Sequence, residues 1–157
     1  MRKAKTKKIL TPEEKQKRIR NIMIVIVILV LSTIGMFWTM PQNNALSESK
    51  VFEEEAVKLQ AEDVINLLNA EDYDSLEAMS VPKLQEIMNQ ERMEEGKARV
   101  SDDWGNFVSI ESIQDIEIVK RGTHTAVVYV TAKYDNIEAH FTLAFNEELK
   151  LVSFGIQ

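Results

Sequence analysis

The chain contains no cysteine, and only two histidines among its 157 residues. Without cysteine there is no disulfide framework, no thiolate-bound metal and no lipid-modified cysteine anchor. The five glycines are not arranged as a phosphate loop, and neither a Ser-His-Asp pattern nor metal-ligand spacing occurs. One further absence is positional. Residues 22–40, "IMIVIVILVLSTIGMFWTM", carry no charge over 19 residues.

A helix of that length spans the roughly 30 Å hydrocarbon layer at about 1.5 Å per residue. A cleaved signal peptide has a shorter apolar run ending in small residues. Here the run ends in Met36, Phe37, Trp38 and Met40, all bulky, so an uncleaved anchor is expected. Residues 1–20 carry nine Lys or Arg against two Glu, net +7, and residues 41–157 carry ten against 23 acids, net −13. That asymmetry places the N-terminus in the cytoplasm and the acidic part outside, with Trp38 at the outer interface. Anionic lipid accounts for the basic arm more simply than nucleic acid does. The acidic remainder argues against nucleic-acid binding as well. Thr11-Pro12-Glu13-Glu14 reads as a capping box, predicting a helix from Pro12 into the span.

The expected organisation is a basic cytoplasmic arm (1–21), a transmembrane helix (22–40), a polar tether (41–50, with "PQNNALS") and an exported domain (51–157). In that domain Val57, Ala61, Val64, Ile65 and Leu68 share one helical face. Tyr73, Leu76 and Met79 form a short second helix. Ser80 is expected to cap a third, with Pro82 in its first turn and Leu84, Ile87 and Met88 as its apolar face. A further helix over 90–103 places Met93, Val100 and Trp104 on one stripe.

After Gly105 the period becomes two. A turn at Asp135-Asn136 sets 134 opposite 137, 132 opposite 139, 130 opposite 141, 128 opposite 143 and 126 opposite 145, all apolar pairs. A turn at Glu147-Glu148 sets Leu143 opposite Val152, Phe141 opposite Phe154 and Ala139 opposite Ile156. A three-residue loop, Arg121-Gly122-Thr123, puts Ile116 and Ile118 on the apolar face. Ile110 and Ile113 break alternation, so a bulge is expected near 111–114. The predicted fold is α+β: a transmembrane helix, then an exported roll of three or four helices on a four-stranded antiparallel meander.

The segments "VINLLNAEDYDSLEAMS" (64–80), "WGNFVSI" (104–110) and "AHFTLAFNEELKLVSFGI" (139–156) carry a resemblance. The exported region resembles the nuclear-transport-factor-two-like, or cystatin-like, roll. More narrowly, it looks like a domain-of-unknown-function family of small envelope proteins of Gram-positive bacteria. The final turn, Asn146-Glu147-Glu148-Leu149, lacks that family's usual glycine. The resemblance implies a fold and an envelope location, and no reaction.

Chemistry is sparse. The inner positions of the last three strands are apolar except Tyr134, so no general acid–base pair is expected inside. On the same register His124 and His140 lie about 23 Å apart and cannot share a metal ion. Each reads as a surface or strand-edge residue. The acidic clusters read as solvated helix faces. No catalytic residue, cofactor or metal is expected. Candidate partner or ligand contacts are Trp104, Phe107, Tyr129, Tyr134 and Thr142. Trp104 itself is expected in the core, at helical spacing from Met93 and Val100. The outer sheet face, with Val127, Tyr129, Thr142 and Ala144, is less polar than a bare surface requires. The expected function is a non-enzymatic, membrane-anchored module that binds an envelope protein or a second copy of itself. The alternatives are a small-ligand or glycan module using the cone between helices and sheet, and a scaffold subunit of an envelope secretion or conjugation machine.

Overall fold

The computed structural model describes residues 12–157, apart from the side chains of residues 34 and 36–39. The described residues fall into two units, one ending at Met40 and the other Pro41–Gln157. The first contributes one helix, α1 (Pro12–Thr39), with Pro12 in its first turn and Glu13 and Glu14 beside it. Both choices suit a helix N-terminus, where the missing proline N–H costs nothing and negative charge meets the dipole. Residues 1–11 of the expected arm, the helix cap Thr11 among them, and the interfacial placing of Trp38 lie outside the described residues and side chains. Among the described residues, no helix is long and apolar enough to cross a membrane.

The second unit is α+β, with four helices on one face of a five-stranded antiparallel sheet of order β1-β2-β3-β4-β5. Helix α2 (Glu54–Asn69) buries Val57, Ala61, Val64, Ile65 and Leu68, the stripe expected from its periodicity. It ends at Glu71, whose φ of +56° lets Asp72 N donate to Leu67 O. Asp72 then caps α3 (Tyr73–Met79) by accepting from Ser75 N. Helix α4 is a single turn, Pro82–Gln85, and Ser80 does not cap it. The Ser80 hydroxyl is buried and donates to Leu76 O instead. Ile87 is exposed, contrary to expectation, because the chain leaves α4 before reaching it. Helix α5 (Gln90–Val100) is capped by Asn89 and stops three residues earlier than expected. Val100 therefore faces solvent, while Met93 is buried.

The sheet comprises β1 (Gln42–Asn44), β2 (Phe107–Lys120), β3 (Thr123–Tyr134), β4 (Glu138–Phe145) and β5 (Leu151–Ile156). The β3–β4 register is the expected one, from Lys133 opposite Glu138 to Ala126 opposite Phe145. Its core face joins Leu46, Val64, Leu68, Met88 and Trp104 in one cluster. Strand β2 bulges between Ile110 and Ser112, which keeps both Ile110 and Ile113 on that face.

Three expectations fail at turns. The β2–β3 loop has two residues, not three, and pairs Lys120 with Thr123. Arg121 and Gly122 adopt φ of +53° and +78°, as a tight hairpin turn of this hand requires. The one-residue change reverses parity, so Glu117 and Asp115 oppose Ala126 and Val128, and Ile116 and Ile118 move to the outer face. The β4–β5 loop is longer than expected. Asn146 N donates to Lys150 O, and Leu149 takes φ of +57°. The register slips by two, giving Leu143 opposite Phe154 and Phe141 opposite Ile156, which preserves the faces. A bulge beyond Ser153 leaves Leu151, not Val152, buried.

The fifth strand was not expected. Gln42–Asn44, read as part of a polar tether, pairs with residues 117–119 of β2. A 3₁₀ turn follows at Leu46–Glu48, and Leu46 enters the core at 1% exposure. Three polar residues carry no strand pattern, so only the pairing with β2 reveals them. A free tether would tolerate Leu46→Ala. The folded segment predicts a loss of about 2–5 kcal/mol of stability, read by urea denaturation of the chain.

Candidate functional site

The residues singled out from sequence separate onto the two faces of the sheet. Trp104, Phe107 and Tyr134 meet on the core side. The Trp104 and Tyr134 rings stand edge to face at 4.8 Å, and Phe107 meets Tyr134 at 5.6 Å. Trp104 also reaches Phe141 at 6.2 Å, which touches Phe154 in turn. These rings pack against one another in the core between helices and sheet.

Trp104 holds its place by polar contacts as well. Its indole N–H donates to Lys97 O and Ser101 O at 3.0 and 3.1 Å, satisfying carbonyls at the end of α5. Its own carbonyl accepts from Asn136 N, and Asn106 O accepts from Asp135 N. The Asp135 carboxylate accepts from Asn106 N and Nδ2, which holds its pKa below the ordinary value. Gly105, at φ +69°, lies so near this turn that a Cβ there would stand 2.6 Å from Asp135 Cβ. Residues 101–107 thus fasten the end of α5 to the β3–β4 turn.

The Tyr134 hydroxyl donates to Asn69 Oδ1 at 2.7 Å. Burial pushes the phenol up to about 12, against the opposing pull of that hydrogen bond. The phenol stays protonated at neutral pH and acts as a tie between β3 and α2. Asn69 Nδ2 is buried with no hydrogen-bond partner among the described residues.

Tyr129 and Thr142 lie together on the other face, directly paired across β3 and β4. Their neighbours Val127 and Ala144 are also paired, and each is only 8% exposed, although neither belongs to the helix-covered cluster. Ile116 pairs with Val127 from the β2 side. Tyr129 is 44% exposed beside them. The buried helical residues all pack on the opposite face. The accessible part of the outer face is therefore Tyr129 with the half-buried Ile116 and Thr142, while Val127 and Ala144 are buried.

Sequence reasoning missed a third cluster. Glu117 is 3% exposed and accepts from His124 Nδ1 at 2.8 Å, from Ser49 Oγ at 2.8 Å and from Asn44 Nδ2 at 3.4 Å. Beside it Lys58 bridges Asp115 at 3.3 Å and also pairs with Glu54. Burial disfavours the Glu117 charge, but the hydrogen bonds from His124, Ser49 and Asn44 outweigh it and lower the pKa. The interior therefore does contain an acid–imidazole pair, and His124 is a partner of it and not a bare edge residue. Its signal was the Arg-Gly turn: read as a two-residue loop, it sends Glu117 inward. The arrangement suits a clamp better than a nucleophile. Ser49 contacts the carboxylate, not the imidazole, and its oxygen also accepts from Val51 N and Phe52 N. His140 stands apart on the outer face, opposite Thr131 at 3.2 Å. Among the described residues no group of acids and histidines could hold a metal ion.

Comparison with known proteins gives two likenesses. Residues 61–154 match the family described as "Protein of unknown function (DUF3887)". An NMR structure of a protein from Ruminococcus gnavus ATCC 29149 is similar, with 22% identity, 72% of this chain and 97% of that chain covered, and a TM-score of 0.60. At that identity the likeness shows a shared fold. No curated protein matches.

Two outcomes follow from this geometry. Trp104→Ala should cost about 3–5 kcal/mol in urea denaturation, as truncation of a large core side chain does. Glu117 has a folded pKa below its ordinary 4.5. Its contribution is therefore complete above that value and is lost as pH falls through the lower folded one. Stability measured against pH should drop below about 4.5 in the parent chain. The drop should be shallower in Glu117→Gln.

Proposed function

The chain belongs to the DUF3887 family, its match spanning residues 61–154, and on that premise we propose a single-pass, membrane-anchored module of the cell envelope that binds another protein through the outer face of its sheet. It is non-enzymatic on this reading, with the basic arm in the cytoplasm and a roll of the nuclear-transport-factor-two-like type outside.

One observation carries the interaction role. On the outer face Tyr129 is 44% exposed, paired with Thr142 and next to the apolar pair Val127 and Ala144. An exposed tyrosine amid apolar neighbours suits a protein contact, since Tyr is enriched at interfaces. On the opposite face Trp104 packs against Tyr134 and Phe141, which favours a protein partner over a small molecule held among those rings. For the anchor, the support is the uncharged run 22–40 and ten successive apolar residues, 22–31, each 48–63% exposed on α1. The side chains that complete that run, at 34 and 36–39, are outside those described.

The chain has no native thiol, so single cysteines report cleanly. Glu148→Cys, in an exposed turn, should label from outside intact cells, and Lys5→Cys should not; the reverse pattern overturns the orientation. A photo-crosslinking residue at Thr142 in the same cells should give one discrete adduct. Tyr129→Glu should abolish that adduct without shifting the melting temperature. No adduct, or an adduct indifferent to Tyr129, contradicts the proposed face.

A further inference from the structure

The sheet has two edges, and they are treated differently. On the β2 side the edge is interrupted by bulges after Phe107 and Ile110 and is covered over 117–119 by β1. Bulges and short edge strands are how sheets avoid accepting further strands. On the β5 side Val81 N donates to Leu151 O, which closes only the beginning of the strand. His140 and Gln157 exchange both backbone hydrogen bonds, so along this antiparallel ladder Gly155 and Ser153 also face β4. The N–H and C=O groups of Phe154 and Ile156 therefore point away from β4, toward an edge that no further strand among the described residues covers.

A groove of about 330 Å³ runs beside that edge, between β5 and α5. Phe154, Ile156, Met93 and the exposed Ile87 give it apolar walls. Gly96 faces Ile156 across the groove, where a Cβ would stand at ordinary contact distance, 3.6 Å from Ile156 Cδ1. Arg92 and Arg99 line the same groove, one helical turn on each side of Gly96. The unit 41–157 has three arginines and a net charge of −13, and two of the three are here. Glu95 pairs with both, at 3.2 and 4.0 Å, leaving the groove one positive charge in excess. The arginine side chains remain 58% and 80% exposed, free to take a further carboxylate.

We infer that this groove receives an extended, acidic peptide segment of a partner protein, which adds to β5 as a sixth strand. Its backbone pairs with Phe154 and Ile156. Alternate apolar side chains enter the groove over Met93 and Phe154, and a carboxylate meets Arg92 and Arg99. Backbone pairing supplies affinity and the groove supplies selectivity, as in other strand-addition sites. A bidentate guanidinium is suited to that carboxylate. The site is distinct from the outer face and stands whether or not that face binds anything.

The probe is a phage-displayed library of random twelve-residue peptides, selected against the full chain in detergent. Enriched peptides should alternate apolar β-branched residues with Asp or Glu. A selected peptide should bind about tenfold more weakly to an Arg92→Gln, Arg99→Gln double variant. Both arginines are exposed, so that variant should fold, which its melting temperature verifies. The same peptide N-methylated at alternate amides should lose binding, and bound peptide should slow hydrogen exchange at the Phe154 and Ile156 amides. Three results overturn the inference: no enrichment, binding indifferent to the two arginines, or protection elsewhere. Protection of the same amides by self-association, without peptide, assigns the edge to a second copy and overturns the partner segment.

Discussion

The structure rests on the parity of its hairpin turns. A strand presents alternate residues to opposite faces, so the number of residues in a turn decides which side chains meet the helices. The Asp135-Asn136 turn closes with Tyr134 N donating to Ile137 O. That closure sends Ala126, Val128, Val130, Ala132 and Tyr134 inward with Ala139, Phe141, Leu143 and Phe145. Residues 101–107 then bind the end of α5 to the same turn through Trp104, Asn106 and Asp135. The turn that sets the register is thus also the one that the helical layer is fastened to.

Parity also explains what was legible in the sequence. The β3–β4 pairing could be read because a short polar turn lay between two long alternating runs, and only one register matched them. Helix α2 was legible for a like reason: five apolar residues on one stripe leave no other face to bury. At Arg121-Gly122 the same logic failed by one residue. Two isoleucines looked like core, and the buried residue turned out to be Glu117. Hydrophobicity favours Ile116 inside, but the positive-φ pair at the turn fixes the register, and Glu117 finds three hydrogen-bond donors in place of water. At 146–150 the error was two residues, which keeps Phe154 and Ile156 on the expected face, while the bulge puts Leu151 in the core in place of Val152. β1 could not be read at all, since its three polar residues become a strand only through β2.

The same parity distributes function. Turning Ile116 and Ile118 outward, beside Val127, enlarges the apolar outer face on which the proposed contact rests. Turning Glu117 inward ties Asn44 and Ser49 to the sheet, so the segment following α1 enters the domain directly. The polar atoms of Trp104 and Tyr134, two of the candidate contacts, are committed within the fold to Lys97, Ser101 and Asn69. On the proposed reading, binding falls to the sheet's outer face and its β5 edge.

The register of β2 on β3 can be measured directly by nuclear Overhauser contacts between α-protons of an isotope-labelled chain. Non-hydrogen-bonded pairs in antiparallel sheets bring the Cα atoms to about 4.5 Å and give the strongest of these. With Lys120 opposite Thr123, contacts are expected between Glu117 and Ala126 and between Asp115 and Val128. A contact between Ile118 and Ala126 would mean a three-residue turn. It would put the isoleucines inside and Glu117 outside, and would contradict the account.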